Sequence, residues 1–300
     1  MKKTLIALAA VAVSGAAMAQ VTISGKYAFG FKSDTVSNVA TSGMETTDGD
    51  IVISASEDLG GGMKISAVMA TEIRGNGATQ LGRDAYINLS TGTMGSFLMG
   101  RVESAEPING YFATGRGLDG TVSPAAKDVD ALIYTLPTFV SGVTLRISKS
   151  DQVSTGAVNA LNTTRYQADY AAGPLKVAYD VTNYKAASTI DSRTLIGGSY
   201  DLGMVKISAA RSTVKAVLAS TQDEKYTAIG FDAPVTANMT VGITRVTAKQ
   251  GTTMDKSGTA LGLNYALSKR TAVQLTHQTA KQSATAVKDT YNRVRLTHSF

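Results

Sequence analysis

The stretch VTISGKYAFGF, residues 21–31, decides the fold. Its apolar side chains fall on every second position: Val21, Ile23, Tyr27, Phe29 and Phe31. This alternation places them on one face of a β-strand and the polar residues on the other. The stretch has eleven residues, whereas strands of soluble proteins usually have about five or six. It therefore predicts a long strand with one apolar and one polar face.

Similar stretches recur to the end of the chain and predict sixteen strands. Their approximate ranges are 21–31, 51–57, 64–74, 81–91, 94–101, 128–136, 141–150, 163–172, 174–184, 192–201, 204–213, 223–232, 238–248, 257–267, 270–279 and 289–300. Short turns alternate with longer polar connections, among them residues 33–48, and this order is typical of an outer-membrane barrel. A soluble all-β protein is the alternative, but it would have to hide every apolar face between sheets. We predict an all-β fold, a sixteen-stranded antiparallel transmembrane β-barrel.

The first nineteen residues have the features of an export signal. Lys2 and Lys3 precede an apolar run at residues 5–13, and Ala17-Met18-Ala19 fits a small-x-small cleavage site. About ten apolar residues are too few to span a bilayer as a helix. We predict a signal peptide at residues 1–19 and an exported barrel domain at residues 20–300.

Composition argues against an enzyme. The chain has no cysteine and two histidines that lie far apart in sequence, so we expect no metal and no cofactor. GRGLDG, residues 115–120, matches a dinucleotide-binding pattern but lacks the strand and helix that such a motif needs. STVK, residues 212–215, lacks the partner motifs of a serine hydrolase. We expect no catalysis and no binding of nucleotides or nucleic acid.

Residues 101–128 interrupt the alternation with glycines, two prolines and charges of both signs. An insertion of this length in a compact domain is usually either functional or disordered. We therefore expect that the loop at about residues 102–127 folds into the barrel and determines what passes through it.

Five segments together resemble the β-proteobacterial branch of the Gram-negative general porins: VTISGKYAFG (21–30), SEDLGGGMK (56–64), RDAYINLS (83–90), GSFLMGR (95–101) and RVRLTHSF (293–300). The resemblance implies an outer-membrane homotrimer for passive diffusion, in contact with outer-membrane lipid and lipopolysaccharide. It also implies an inward-folded third extracellular loop that constricts the pore. In this family the barrel-assembly machinery reads the terminal aromatic residue, here Phe300.

The resemblance also implies where the charges of the constriction lie. The basic wall would comprise Lys26, Arg83, Arg101 and Lys127. The sequence itself offers Asp50, Glu106 and Asp119 as candidates for the acidic side. Asp50 departs from the family pattern, which usually has arginine at that position, and the loop lacks the usual acidic motif.

Strand alternation also predicts a basic excess on the inner face. The bases with inward parity are Lys26, Lys64, Arg83, Arg146, Arg165, Lys176, Arg193, Lys206, Arg293 and Arg295. Basic side chains in a pore favour anions, so we predict a general channel for small hydrophilic solutes and ions with a mild anion preference. A porin specific for a sugar or organic anion is one alternative. A non-conducting, adhesin-like structural barrel is another.

Overall fold

The computed structural model describes residues 20–73, 80–104, 118, 121–122, 127–151, 162–185, 189–218, 222–252, 254–283 and 285–300. This part of the chain forms sixteen β-strands, whose bounds are β1 Gln20–Val36, β2 Val39–Gly60, β3 Met63–Ile73, β4 Gln80–Thr91, β5 Gly95–Ser104, β6 Lys127–Thr135, β7 Val143–Ser150, β8 Thr163–Ala172, β9 Leu175–Tyr184, β10 Ile190–Asp201, β11 Lys206–Ala216, β12 Glu224–Thr236, β13 Met239–Gln250, β14 Met254–Ala266, β15 Thr271–Lys281 and β16 Asp289–Ser299. The predicted signal peptide lies outside these described residues. Within them, no helix has the length and apolar character needed to cross a membrane.

The strands form one closed antiparallel barrel. Each strand pairs with its neighbours in sequence, and β1 pairs with β16 to close the ring. The predicted fold class, a sixteen-stranded antiparallel barrel, is confirmed. Closure leaves no unpaired sheet edge, which is what strands in lipid require because the hydrocarbon offers no hydrogen-bonding partner.

Alternation along the strands gives the barrel an apolar outside and a largely polar inside. On β1, Tyr27 and Phe29 are 49% and 44% exposed, whereas Ala28 between them is 1% exposed. The same contrast holds on β10 between Ile196, which is exposed, and Leu195, which is buried. An apolar outside and a polar inside are the arrangement expected of a membrane-spanning β-barrel.

The first hairpin is taller than the sequence suggested. The loop predicted at residues 33–48 is wrong, because β1 and β2 continue through it and only Ser37 and Asn38 connect them. Both residues have positive φ, 51° and 67°, as in the two-residue turns that favour asparagine. The amide of Ser37 also donates a hydrogen bond to Asp289 Oδ1 at 2.9 Å. Polar residues on both faces removed the alternation signal here, although the backbone ladder continues.

The seam between the first and last strands ends at the C-terminal residue. The amide of Phe300 donates to the carbonyl of Gly25 at 3.0 Å, and the amide of Gly25 donates to the carbonyl of Phe300 at 3.1 Å. A Cβ at Gly25 would lie 2.7 Å from the Phe300 ring and 2.3 Å from the Asp50 carbonyl oxygen. Glycine is therefore needed where the terminal aromatic ring crosses β1.

Candidate functional site

A cluster of ionised side chains lies on the inner face of β1–β4 and β16. Lys26 Nζ is 2.8 Å from Asp48 Oδ2 and 3.2 Å from Asp50 Oδ2. Arg83 Nη1 is 2.7 Å from Asp50 Oδ1, and Arg83 Nε is 3.7 Å from Glu72 Oε2. We call this cluster the charged wall, and its members are Lys26, Asp48, Asp50, Glu72, Arg83 and Arg295.

Strand register explains why these residues meet. Lys26 lies directly opposite Asp50, and Asp50 lies directly opposite Glu72. The ladder shifts between β3 and β4 just where Arg83 enters it, which lets its guanidinium reach back across two strands. Arg295 joins from β16, with Nη1 3.9 Å from Asp48 Oδ2. Opposite charges on facing strands attract one another, so the wall combines bases with carboxylates.

The carboxylates of Asp48, Asp50 and Glu72 converge closely enough to hold a cation. Lys26 Nζ already lies within 3.2 Å of both aspartates. Arg83 contacts Asp50 and Glu72 from the other side. The two basic side chains therefore supply the positive charge that these carboxylates need.

The structure brings together three of the predicted constriction residues. Lys26 and Arg83 were predicted for the basic wall, and Asp50 for the acidic side. Asp50 lies between the two bases on the same wall and contacts both. The side chain of Lys127, together with Glu106 and Asp119, lies outside the described residues.

Arg101 does not join this cluster. Its guanidinium is 3.7 Å from Asp128 and 3.7 Å from Asp130. The uninterrupted β5–β6 ladder pairs Arg101 with Asp130 and Met99 with Leu132. Met99 and Leu132 are exposed apolar side chains, so the alternation gives Arg101 the parity of the outer face. The register therefore does not support the predicted place of Arg101 in the basic wall, which stays a prediction.

Other inward bases are also paired with carboxylates. Arg146 contacts Asp169, and Arg165 contacts the buried Asp180. Further round the barrel, Lys206 Nζ lies 3.7 Å from Asp232 Oδ2. These pairs reduce the positive potential that a count of bases alone would suggest.

The inner face of β10–β15 has a different character. Its buried side chains are mostly small and apolar, and they form one cluster. We call this cluster the alanine wall, and its members are Leu195, Ala210, Val214, Tyr226, Ala228, Val246, Ala248, Ala260 and Ala280.

Two residues from the segment between β5 and β6 pack against the alanine wall. Leu118 and Val122 are 1% and 3% exposed and belong to the same apolar cluster. The amides of Thr121 and Val122 donate to the Leu118 carbonyl at 3.2 and 2.8 Å, which closes one turn and sets the two apolar side chains side by side. The Thr121 side chain lies close to Tyr291 of β16.

Gly258 on β14 lies directly beneath the side chains of Leu118 and Val122. A Cβ at that position would lie 2.6 Å from Leu118 Cδ2 and 2.9 Å from Val122 Cγ2. Burying a leucine or valine side chain is worth about 1.5–3 kcal/mol. The contact is therefore strong enough to anchor a segment of chain, and a side chain larger than glycine at position 258 would have to displace Leu118 and Val122.

Sequence reasoning missed three of these residues. Asp48 fell within the loop wrongly predicted at residues 33–48. Leu118 and Val122 lie in a segment interpreted through its charges and glycines, although their spacing of four is a signal for one shared face.

The fold and this lining can be compared with known proteins. A family model described as Gram-negative porin matches residues 4–285. Outer membrane porin protein 32 of Delftia acidovorans is 27% identical over 256 residues, covering 72% of this chain and 70% of the relative.

Solved structures share the same barrel. An anion-selective porin from Comamonas acidovorans superimposes with a TM-score of 0.78 at 19% identity, covering 94% of this chain and 100% of the other. OmpT of Vibrio cholerae, in a trimer form, superimposes with a TM-score of 0.71 at 13% identity, covering 94% and 99%. The family model spans nearly the whole described barrel, and the chain therefore belongs to the Gram-negative porin family of the outer membrane.

Proposed function

We propose that this protein forms a water-filled channel for passive diffusion of small hydrophilic solutes and ions, without catalysis. The observation that carries the proposal is the closed barrel whose inner face bears ionised side chains. Such side chains are stable on the inside of a membrane barrel when they line water. Family membership supports the same activity.

The constriction in this proposal is the segment between β5 and β6, folded inward. Its support is the burial of Leu118 and Val122 against the alanine wall, on the inner face of the barrel. The charged wall lies on other strands of the same barrel. Solutes would therefore pass between the charged wall and the segment that packs against the alanine wall. The size limit then depends on the segment, and the electrostatic bias depends on the charged wall.

The selectivity in this proposal is a mild preference for anions. Bases on the inner face attract anions into a low-dielectric neck, and a structural relative is an anion-selective porin. The preference would be weak because Lys26, Arg83, Arg146 and Arg165 each have a carboxylate partner.

Planar-bilayer recording of the purified protein tests the channel. We expect stable, ohmic channels, and deletion of about residues 107–120 should raise their conductance. A protein that folds, inserts and gives no channels would contradict the diffusion function. Conductance that falls or stays the same after the deletion would contradict the constriction alone.

We also propose that three copies assemble in the membrane, in contact with lipid and lipopolysaccharide, and that Phe300 presents the chain to the barrel-assembly machinery. The trimer form of OmpT supports the assembly, and the exposed apolar outer face offers a surface for lipid or another copy. Unheated gel electrophoresis in mild detergent should give a band at trimer size. A band at monomer size would count against it.

A further inference from the structure

The first hairpin, β1–β2, extends beyond the neighbouring strand on one side only. On the β1 side, β16 pairs with the hairpin as far as Thr35, next to the tip. On the β2 side, β3 ends at Ile73 and the β2–β3 ladder stops at Asp50. Within the part of the chain that the structure describes, residues 39–48 of β2 therefore have no strand beside them on that side.

The connection between β3 and β4 is too short to cover this part of β2. These two strands pair up to Ile73, so residues 74–79 must go out and return. Three extended residues span about 10 Å. Ala40, by contrast, lies roughly 30 Å along the strand from Gly49, which packs against Ile73. The upper part of β2 is thus an edge that this connection cannot reach.

The turn at the tip determines which backbone groups point toward the open side. Val36 and Val39 flank a two-residue turn whose residues both have positive φ, and the flanking residues of such a turn are hydrogen-bonded to each other. Hydrogen-bonded pairs then alternate along the antiparallel ladder. The N–H and C=O groups of Ala40, Ser42 and Met44 therefore point away from β1. All three residues are exposed.

The two faces of the hairpin differ in the side chains beside this edge. On the outer face, Met44 and Phe31 lie opposite each other, and both are exposed. On the inner face, Lys32 Nζ is 3.2 Å from Glu45 Oε2 and 3.7 Å from Asp34 Oδ2. Two carboxylates and one ammonium leave a net negative charge there. An added strand would fit with an apolar residue outside and a basic residue inside.

We propose that the open edge, residues 40–44 of β2, binds an extended segment of another polypeptide, which adds an antiparallel strand to the hairpin. An exposed edge is a template for such pairing. Strand addition takes its affinity from backbone hydrogen bonds and its specificity from alternate side chains. The edge supplies both, because its free backbone groups alternate with positions that favour a basic neighbour.

The partner comes from outside the cell. The tip of the hairpin lies at the end of the barrel that carries the longer connections, and in outer-membrane barrels these face outward. A second copy of the chain does not fit, because its open edge would run in the same direction in the same membrane. An antiparallel pair needs opposite directions.

The test measures binding of a fluorescein-labelled peptide to the full barrel, folded in dodecyl maltoside micelles, by fluorescence anisotropy. The seven-residue peptide alternates four valines with two threonines and a central arginine, so that its valines lie outside and pair with the edge. We expect it to bind. The same peptide N-methylated on its valines cannot donate to the edge and should bind at least about tenfold more weakly, the effect of one net hydrogen bond. N-methylation of the other three residues, whose amides point away, should leave binding unchanged.

Substitutions in the edge test the same hydrogen bonds from the barrel. Ser42→Pro removes an amide that does not bond to β1, and proline is tolerated on the open side of an edge strand. This variant should conduct like the wild type and bind the peptide about tenfold more weakly. Ser42→Ala keeps the amide and is the matched control, with wild-type binding expected. Ala40→Pro repeats the test at a second open amide.

The inner face supplies a test of specificity. Glu45→Gln should weaken binding of the peptide about twofold, as expected for a solvent-screened charge. It should not change binding of a peptide that has glutamine in place of the central arginine.

Three results would overturn the proposal. They are no binding of the unmethylated peptide, equal affinity of the peptide methylated on its valines, and wild-type affinity in both proline variants. A wild-type barrel that binds the peptide but does not conduct would contradict the channel and leave the open edge as a binding site.

Discussion

The charged wall and the alanine wall line one lumen on the same kind of strand, yet they use their inner positions differently. On the charged wall, long side chains such as Lys26 and Arg83 reach across the ladder to carboxylates. On the alanine wall, short side chains leave room for a second layer of chain, which Leu118 and Val122 begin to fill. If the barrel conducts as proposed, one wall would set the electrostatic potential and the other would set the shape of the pore.

Burial on the alanine wall supports this division. Ala228, Val246, Ala248 and Ala260 have no exposed surface. Short side chains on the inner face of a water-filled barrel become fully buried only if other atoms cover them. Leu118 and Val122 supply part of that cover, so the inner face is a docking surface for the chain's own segment.

The largest effect should come from removing the anchor. The double substitution Leu118→Ala and Val122→Ala should raise single-channel conductance. Burying leucine instead of alanine is worth about 2–5 kcal/mol, so without these side chains the segment between β5 and β6 should detach from the alanine wall. Ile196→Ala, on the outer face beside Leu195, should leave conductance unchanged. Wild-type conductance in the double variant would show that the alanine wall does not position the constriction.

A smaller displacement should follow from Gly258→Ala. The added methyl group would lie within 3 Å of both Leu118 and Val122, so we expect higher or noisier conductance than in the wild type. Gly43→Ala is the matched control, because no atom lies within 4 Å of the added carbon there. Identical recordings from the two variants would mean that the segment tolerates a shift without opening the pore.

Charge substitutions should alter selectivity and leave pore size nearly unchanged. Asp50→Asn removes the carboxylate shared by Lys26 and Arg83, so the anion-to-cation permeability ratio should rise roughly twofold, the size expected for a solvent-screened charge. Arg83→Gln should lower the ratio by a similar factor. Reversal potentials under a salt gradient measure both, and Asp255→Asn on the outer face is the control. Shifts of the same sign in the two variants would contradict the assignment of the charged wall to the lumen.

The smallest expected effect is a difference in salt dependence between variants of the charged wall and variants of the alanine wall. Screening shortens the range of a charge from about 10 Å at 0.1 M salt to about 3 Å at 1 M. The selectivity change in Asp50→Asn should therefore fade in concentrated salt, whereas the conductance change in the Leu118 and Val122 double variant should persist. Both effects fading together would indicate that the alanine wall also acts through charge.

The sequence alone predicted the barrel and most inward side chains, because both depend on a period of two within single strands. It did not predict which charges would meet. The contact between Arg83 and Asp50 depends on register across three strands and on a shift in the β3–β4 ladder. The contact between Leu118 and Gly258 could not be predicted for a similar reason, since only barrel closure brings those two segments together.

The seam described at β1 and β16 also bears on how the chain folds. Every other ladder joins strands that are neighbours in sequence, so each can form as a hairpin with little loop-closure entropy. The seam instead joins groups such as Asn292 Nδ2 and the Ser33 carbonyl, 259 residues apart. Until the last strand docks, the sheet has two open edges that could pair with another chain. Docking of the last strand is therefore the step that converts an open, aggregation-prone sheet into a closed barrel, and the long first hairpin offers that strand a complete edge on which to pair.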